Sequence, residues 1–544
     1  MISLSFIIYH LSFSPVRAQD SLLLRDYRFV KQQSSWLTSL NAAGLTKYQS
    51  ANIAEAEAQF GIGRGGLVNF NESSKTQTLN VAIESFYRVS PSTVFYGRIC
   101  YDNFTGRDMA GSAFMQQSLL PFDIVEDSVT NMGKKHRDTY QLTGAVGCQL
   151  TKAIALGARV DYTSANYAKY KDLRHKNKLM DLSATIGFLS TFNVPRNATL
   201  SKRERSSFNV GANYRYHRST ESLTFSTYGK SDKVYKSLIN YGPFIGQVEQ
   251  FGSYGYTDKS REMPLFDESH GAGLQVEAVP SASVSIFASA AYDHRKGYYG
   301  RKSPYTITYT NHKGDRLSLM ASLRYHTEKA QHILDATYSS EQLRNNGNSH
   351  RELQNEAGSN YYEYYGDIKT GDKLLRQATI AYTAHLSING ELPAWTLQAG
   401  MNIMNRRQTG YLYPYLRRQD IGNVGFTISA TRNFLLQRGV LSVHAAFGYQ
   451  KGHGEPFEDA TLATPSDKQT PPDEMPVWLW REYQYLVAAQ YAARAGVKYA
   501  FMLPGTKMKA HAGIQLEHQK ANETYQYSNG KDHTQIMAAV GCTF

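Results

Sequence analysis

No run of about 18 or more uninterrupted apolar residues occurs in this 544-residue chain, which argues against an α-helical membrane protein. Cysteine is scarce. Cys100, Cys148 and Cys542 form no CxxC and no metal-ligand spacing, which leaves no basis for a zinc site or a redox pair. Strand alternation puts Cys100 inside and Cys148 outside on neighbouring strands, so no disulfide is expected between them and all three read as small buried hydrophobes. No GxSxG, HExxH or GxxxxGK[ST] is present. No catalytic residue, metal ligand or cofactor site is therefore assigned, and the chain is read as a non-enzyme. A membrane hydrolase stays as a third reading, because such enzymes assemble their residues across strands. The net charge of +13 is spread through loops and not gathered on one element, which excludes nucleic acid as a partner.

Aromatics are plentiful, with 39 Tyr and 24 Phe. Aromatic residues favour strands, and Tyr suits the boundary between lipid and water. A hydrophobic content of 41% looks soluble, but a membrane barrel turns only alternate strand residues to lipid and is equally polar overall.

The last stretch shows this alternation. Ile536, Ala538, Val540, Cys542 and Phe544 share one strand face; Gln535, Met537, Ala539, Gly541 and Thr543 share the other, smaller and partly polar. Taken alone, it could close a soluble β-protein. Its aromatic end resembles the terminal strand of bacterial outer-membrane β-barrels, where a final Phe is an assembly signal, and Phe544 is the candidate for that role.

Similar alternation recurs at 52–60, 79–88, 95–102, 140–150, 154–162, 182–188, 208–216, 274–278, 284–292, 317–325, 334–338, 378–388, 395–403, 424–430, 441–449, 493–501 and 510–516. Short turns fall at Ser90-Pro91-Ser92, Thr151-Lys152, Pro280-Ser281-Ala282, Thr327-Glu328-Lys329, Asn389-Gly390-Glu391 and Leu503-Pro504-Gly505. Long stretches at 219–268, 296–314, 344–372, 451–482 and 520–531 alternate with them; 191–206 breaks the rhythm. The expected fold is all-β: a transmembrane antiparallel up-and-down barrel of about 18 strands, sixteen to eighteen, with short periplasmic turns and long extracellular loops. The final strand should pair with 52–60 and remove the exposed edge.

Residues 1–18 read as a signal peptide without a basic start, and 19–50 as a periplasmic segment that could form a small plug. The barrel is expected over 51–544. Within the segment, Asn41-Ala42-Ala43-Gly44-Leu45 resembles the Asn-Pro-Ala-Gly/Ala-Leu element before the first strand of fatty-acid-transporter barrels, with Ala42 in place of Pro.

The expected lumen lining carries Glu55, Glu57, Glu84, Arg98, Arg159, Asp161, Glu277, Arg324, Asp335, Arg494, Lys498, Lys509 and Glu517. The signs nearly cancel, so an ion-selective ring is not indicated, and pairing across neighbouring strands is the plain expectation. Aromatic clusters at 361–365 and 478–483 read first as membrane-interface girdle. Basic runs at 134–137, 169–178 and 295–302 read as solvated loops, or as contacts to lipopolysaccharide phosphates.

The stretch 162–174, followed by Asn177 and Met180-Asp181-Leu182-Ser183, together with Pro121-Phe122-Asp123, resembles an uncharacterised family of outer-membrane β-barrels from Bacteroides-type Gram-negative bacteria. That resemblance implies the barrel and no functional residue. The reading is a porin-like or substrate-selective channel or transporter in the bacterial outer membrane. The alternative is a non-transporting scaffold that docks an envelope lipoprotein. Expected partners are outer-membrane lipid, lipopolysaccharide and the barrel-assembly machinery.

Overall fold

The computed structural model describes residues 22–115, 120, 122–126, 129–194, 206–227, 236–240, 245–250, 255–303 and 305–544. The leader expected at 1–18 and the middle of the irregular connection, 195–205, lie outside them.

In chain order the strands begin with β1 (Ile53–Gly65), β2 (Lys75–Ser90), β3 (Thr93–Met109), β4 (Asp123–Glu126), β5 (Gly133–Gln149), β6 (Ile154–Lys169) and β7 (Arg174–Val194). There follow β8 (Ser206–Ser226), β9 (Lys236–Asn240), β10 (Gly246–Gln250), β11 (Met263–Ser281), β12 (Val284–Ser303), β13 (Thr306–His326) and β14 (Ala330–Gln354). The last are β15 (Asn360–Asn389), β16 (Leu392–Leu412), β17 (Tyr415–Leu436), β18 (Gly439–His453), β19 (Glu458–Thr461), β20 (Gln490–Met502), β21 (Lys509–Ala521) and β22 (Asp532–Thr543). Helices are α1 (Tyr27–Lys31), α2 (Ser35–Thr38) and α3 (Val477–Val487), with a 3₁₀ turn at Ala42–Lys47.

Eighteen of these strands form one closed antiparallel ring. Four lie outside it. β4, β9 and β10 make a separate three-stranded sheet, and β19 adds to the far end of β17. The ring shuts where β1 meets β22, from Glu55 opposite Thr543 to Gly65 opposite His533. Phe544 completes that seam: its N–H donates to Ala54 O at 2.9 Å and its carbonyl accepts from Ala54 N at 2.7 Å.

Side-chain alternation decides which way each strand faces. Ile83, Ile99, Ile186, Leu274, Ile428 and Val540 are all exposed on the outer face, an apolar band such as a transmembrane barrel turns to lipid. Their sequence neighbours point inward. Cys100 is buried beside Asn80, Cys148 lies by Thr93, and all three cysteines are free thiols.

The six expected short turns all lie between paired strands at one end of the ring. A seventh, at 437–438, joins β17 to β18. The opposite, loop end differs from expectation. Residues 344–372 are mostly a continuation of β14 and β15, paired out to Gln354 opposite Asn360, and 296–314 likewise extends β12 and β13. Polar residues on both faces hid these ladders, since no apolar face marks a strand standing in water.

Candidate functional site

Residues 22–50 form three short turns, each capped locally. Phe29 N donates to Asp26 at 2.9 Å, Trp36 N to Ser34 at 3.3 Å and Ala43 N to Asn41 at 3.1 Å. Helices this short do not persist alone, so the barrel wall must hold them. Arg25 pairs with Glu391 at 2.6 Å and Lys31 with Glu84 at 2.5 Å. Arg324 donates to Ser35 Oγ at 3.0 Å and to the Gln32 carbonyl, and His385 meets Gln32 at 3.0 Å. Lys47 reaches Thr191 at 3.0 Å and Asn209 at 2.9 Å, and Lys509 reaches the Arg25 carbonyl. These partners sit on β2, β7, β8, β13, β15 and β21, strands from opposite sides of the ring. A chain segment touching them all lies inside the barrel, across its turn end.

The most deeply set part is Trp36 and the 41–45 turn. Trp36 Nε1 donates to Glu277 at 2.7 Å, and its ring meets Phe287 edge-on at 5.1 Å. Asn41 is fully buried; its Nδ2 donates to the Phe188 carbonyl at 2.9 Å, the Ala212 carbonyl at 3.3 Å and Gln275 Oε1 at 3.0 Å. Opposite them, the wall has no side chains. Gly147, Gly157, Gly187 and Gly211 occupy inward positions on β5, β6, β7 and β8, the first three in direct register. A Cβ on Gly147 would lie 2.6 Å from the Ala42 carbonyl, and one on Gly211 would lie 2.8 Å from both Asn41 Nδ2 and the Trp36 ring. On Gly157 it would collide with the backbone of Ala42 and Ala43, and on Gly187 with the Asn41 amide. Four glycines thus carve a seat for one turn of chain.

The expected lining residues divide accordingly. Glu84, Glu277, Arg324 and Lys509 bond the N-terminal segment, not each other. Glu277 also accepts from Asn209 at 2.8 Å and Ser285 at 2.7 Å. Others pair within the wall: Arg159 with Asp161 at 2.7 Å, Arg494 with Glu517 at 2.7 Å, Glu57 with His511 at 3.0 Å and Arg98 with Gln141 at 3.3 Å. Glu55 stands in register between Glu84 and Thr543, Lys498 between Ser442 and Gly513, and Asp335 opposite Ser322. The thirteen do not converge on one locus. Pattern reading missed Trp36, Asn41 and Lys47, although the in-register glycines at 147, 157 and 187 were a visible signal that something lies against the wall.

The loop end is covered as well. Phe114, Phe122, Ile124, Leu223, Ile239 and Tyr299 belong to one buried cluster there; Phe70, Val125, Leu238, Trp478 and Leu479 belong to another, joining the small sheet to α3. The 478–483 aromatics are therefore not girdle: Trp478 is buried in the lid, and Glu482 pairs with Arg406 at 2.7 Å. Tyr361–Tyr364 pair with His350–Leu353 near the tip of the β14–β15 hairpin, beyond the last β15–β16 pair at Gly371 and well past the exposed apolar rows of these strands. The basic runs also turn partly inward. Lys135 is buried and donates to Ser112 O at 2.8 Å, Lys169 pairs with Glu126, and Arg295 bridges Asp267 and Glu341, each at 2.6 Å. Asn177, inside the family-like stretch, donates to the Ala113 carbonyl at 2.8 Å and to Glu221 at 2.5 Å, tying the lid to the wall. Burial pushes the lid carboxyl of Asp123 up to about 7, against the lowering effect of hydrogen bonds from Ser112 and Ile124 N–H.

A cavity of about 240 Å³ lies beneath the lid, lined in part by Asp181, Arg215, His217, Asp267, Asp293 and Arg295. Several of its polar groups are paired: Arg215 with Asp293 at 2.6 Å, and His217 hydrogen-bonds Asp181 at 2.8 Å. Among the described residues no group of three or more His, Cys, Asp or Glu side chains is placed to hold a metal ion.

A search of curated proteins returns no match. Among solved structures, the ferric preacinetobactin receptor BauA from Acinetobacter baumannii is 9% identical, with 91% of this chain and 79% of that chain covered at a TM-score of 0.40. The alcaligin receptor FauA from Bordetella pertussis is 9% identical, with 90% and 76% covered at 0.39. The ferric-catecholate import receptor Fiu from E. coli K12 is 10% identical, with 91% and 82% covered at 0.39. Likeness of this degree says nothing of ligand or activity. Residues 42–544 match the model of a family of unknown function, DUF6850, and the chain belongs to that family.

Proposed function

We propose that this protein is a gated, substrate-selective transporter of the bacterial outer membrane, held shut at its turn end by residues 22–50. The observation that carries this reading is the glycine seat. A wall stripped of side chains on four adjacent strands, facing a buried Asn41 whose amide donates to the Phe188 and Ala212 carbonyls beside two of those glycines, is a receptacle for that turn. A constitutively open porin has no use for one. The exposed apolar band supports a membrane setting, and the up-and-down ring supports the outer membrane. Ion-paired charges in the chamber argue for neutral or zwitterionic cargo over a single ion.

In planar bilayers the full chain should conduct little, and a variant lacking residues 22–50 should conduct steadily. Equal conductance from both, with heat-modifiable migration proving both folded, would overturn the reading. A scaffold that docks an envelope protein is the second reading, favoured by the β14–β15 hairpin, where among the described residues β15 pairs only β14 beyond Gly371 and leaves its other edge open. Co-purification of a stoichiometric partner with a barrel that never conducts would select it.

A further inference from the structure

The outer faces of β12, β13 and β14 carry register rows that run from Ile286, Leu323 and Leu334 up to Tyr292, Leu317 and Ser340. Two outward positions nearer the loop end, the row reads Lys296, Lys313, Arg344, each directly opposite the next. All three are exposed, and their neighbours His312, Leu343 and Asn345 are buried inward, which fixes the facing. Adjacent strands stand about 4.8 Å apart, so three cations lie abreast on that pitch. Like charges directly opposite weaken a sheet, and the local acids, Asp315 near Arg344 and Glu268 near Lys296, relieve the row only in part. Glu268 reaches only Lys296, at 3.7 Å, leaving that side chain 64% exposed. Asp315 is held by Tyr292 at 2.5 Å and His294 at 2.8 Å; Asp372, opposite Arg344, is taken by Lys369 and by Tyr411 at 3.0 Å. Among the described residues, neither Lys313 nor Arg344 has an ion-pair partner.

Height above the apolar band identifies what the row meets. Four residues beyond the last apolar row correspond to roughly 13 Å of strand, or about 10 Å of height at the usual barrel tilt. Hydrocarbon ends and headgroups begin within that interval. Phe266 and Tyr298 stack at 5.1 Å just beyond, with Lys302 over Tyr298 at 5.2 Å and Arg218 over Phe266 at 5.1 Å, so cations and aromatics share this level.

We propose that Lys296, Lys313 and Arg344 bind the phosphate of an outer-leaflet lipid whose acyl chains lie along the apolar rows beneath. Phosphate supplies several acceptor oxygens and up to two negative charges, which one carboxylate cannot, and the Arg344 fork can engage two of those oxygens at once. The inference rests on the membrane setting proposed above but not on transport.

The test titrates the full chain, exchanged into mild detergent, with phosphorylated lipid A and with its dephosphorylated form, read by native mass spectrometry. Inorganic phosphate serves as competitor. The phosphorylated lipid should bind, and the variant K296Q/K313Q/R344Q should lose about a hundredfold in affinity, as expected for three cations near a charged surface. Inorganic phosphate at matched concentration should not displace the lipid. Unchanged binding by the triple variant, equal binding of the dephosphorylated lipid, or displacement by inorganic phosphate would overturn the proposal. Heat-modifiable migration establishes that the variant is folded. Conductance measured on the same variant separates the two readings: lipid binding can fail while the channel still opens on removal of residues 22–50.

Discussion

Gly157→Ala is the sharpest perturbation of the closed state. The added methyl would overlap the Ala43 nitrogen and the Ala42 carbonyl carbon, well inside the 3.4 Å at which ordinary contact begins. One side must give. β6 is bonded along its whole length to β5 and β7, whereas the 41–45 turn is held mainly by Asn41, so the turn moves. Overpacking of this kind costs about 1–3 kcal/mol. The cost falls on the seated state alone, so a central value of about 2 kcal/mol multiplies the unseated fraction about thirtyfold. Limited proteolysis of residues 22–50 in the detergent-solubilised protein reads that fraction directly, with the barrel's heat-modifiable band as the folding control. Gly144→Ala is the matched control, because its Cβ would meet nothing within 4 Å. Equal proteolysis of the wild type and Gly157→Ala, or equal sensitivity of both variants, would refute the steric reasoning.

Trp36→Ala removes a fully buried ring and the Glu277 hydrogen bond, and should cost the seated state about 3 kcal/mol or more; the segment should become protease-sensitive at a lower temperature while barrel unfolding is unchanged. The raised Asp123 carboxyl makes lid stability pH-dependent: its contribution is complete below the ordinary value of 3.8 and is lost as pH rises through about 7. The protection of amides 122–126 against hydrogen exchange, corrected for the intrinsic rise of exchange rate with pH, should therefore fall from pH 5 to pH 8, and Asp123→Asn should flatten that slope. We propose that Phe544 serves assembly and not gating: Phe544→Ala should slow insertion by the barrel-assembly machinery in reconstituted membranes, while the barrel that does form conducts as before.

Much of the barrel was legible because lipid imposes a period of two on its strands. Strand count, closure of 535–544 against β1 and the six short turns all followed from that constraint. Where lipid ends, so does the signal. The β14–β15 hairpin has the pattern of a loop because water tolerates polar residues on both faces, and α3 has the pattern of a girdle because Trp478-Leu479-Trp480 looks the same whether it faces lipid or a lid. The site was less legible still. Alternation reads Glu277 and Arg324 as inward, yet their partners Trp36, Ser35 and Gln32 lie more than two hundred residues away, and no local pattern links them. Asn41-Ala42-Ala43-Gly44-Leu45 drew notice by resemblance; its function in the fold emerges only when the glycines of β5 to β8 are brought opposite it.

The central claim is that the barrel conducts only when the 41–45 turn leaves its seat. A double variant, Ala43→Cys with Gly157→Cys in a background with the three native cysteines replaced by serine, tests it most directly by single-channel recording. These positions adjoin across the seat, so oxidation should cross-link them and abolish openings, and reduction should restore openings more frequent than those of the wild type. Openings that persist unchanged in the verified cross-linked protein would contradict the account.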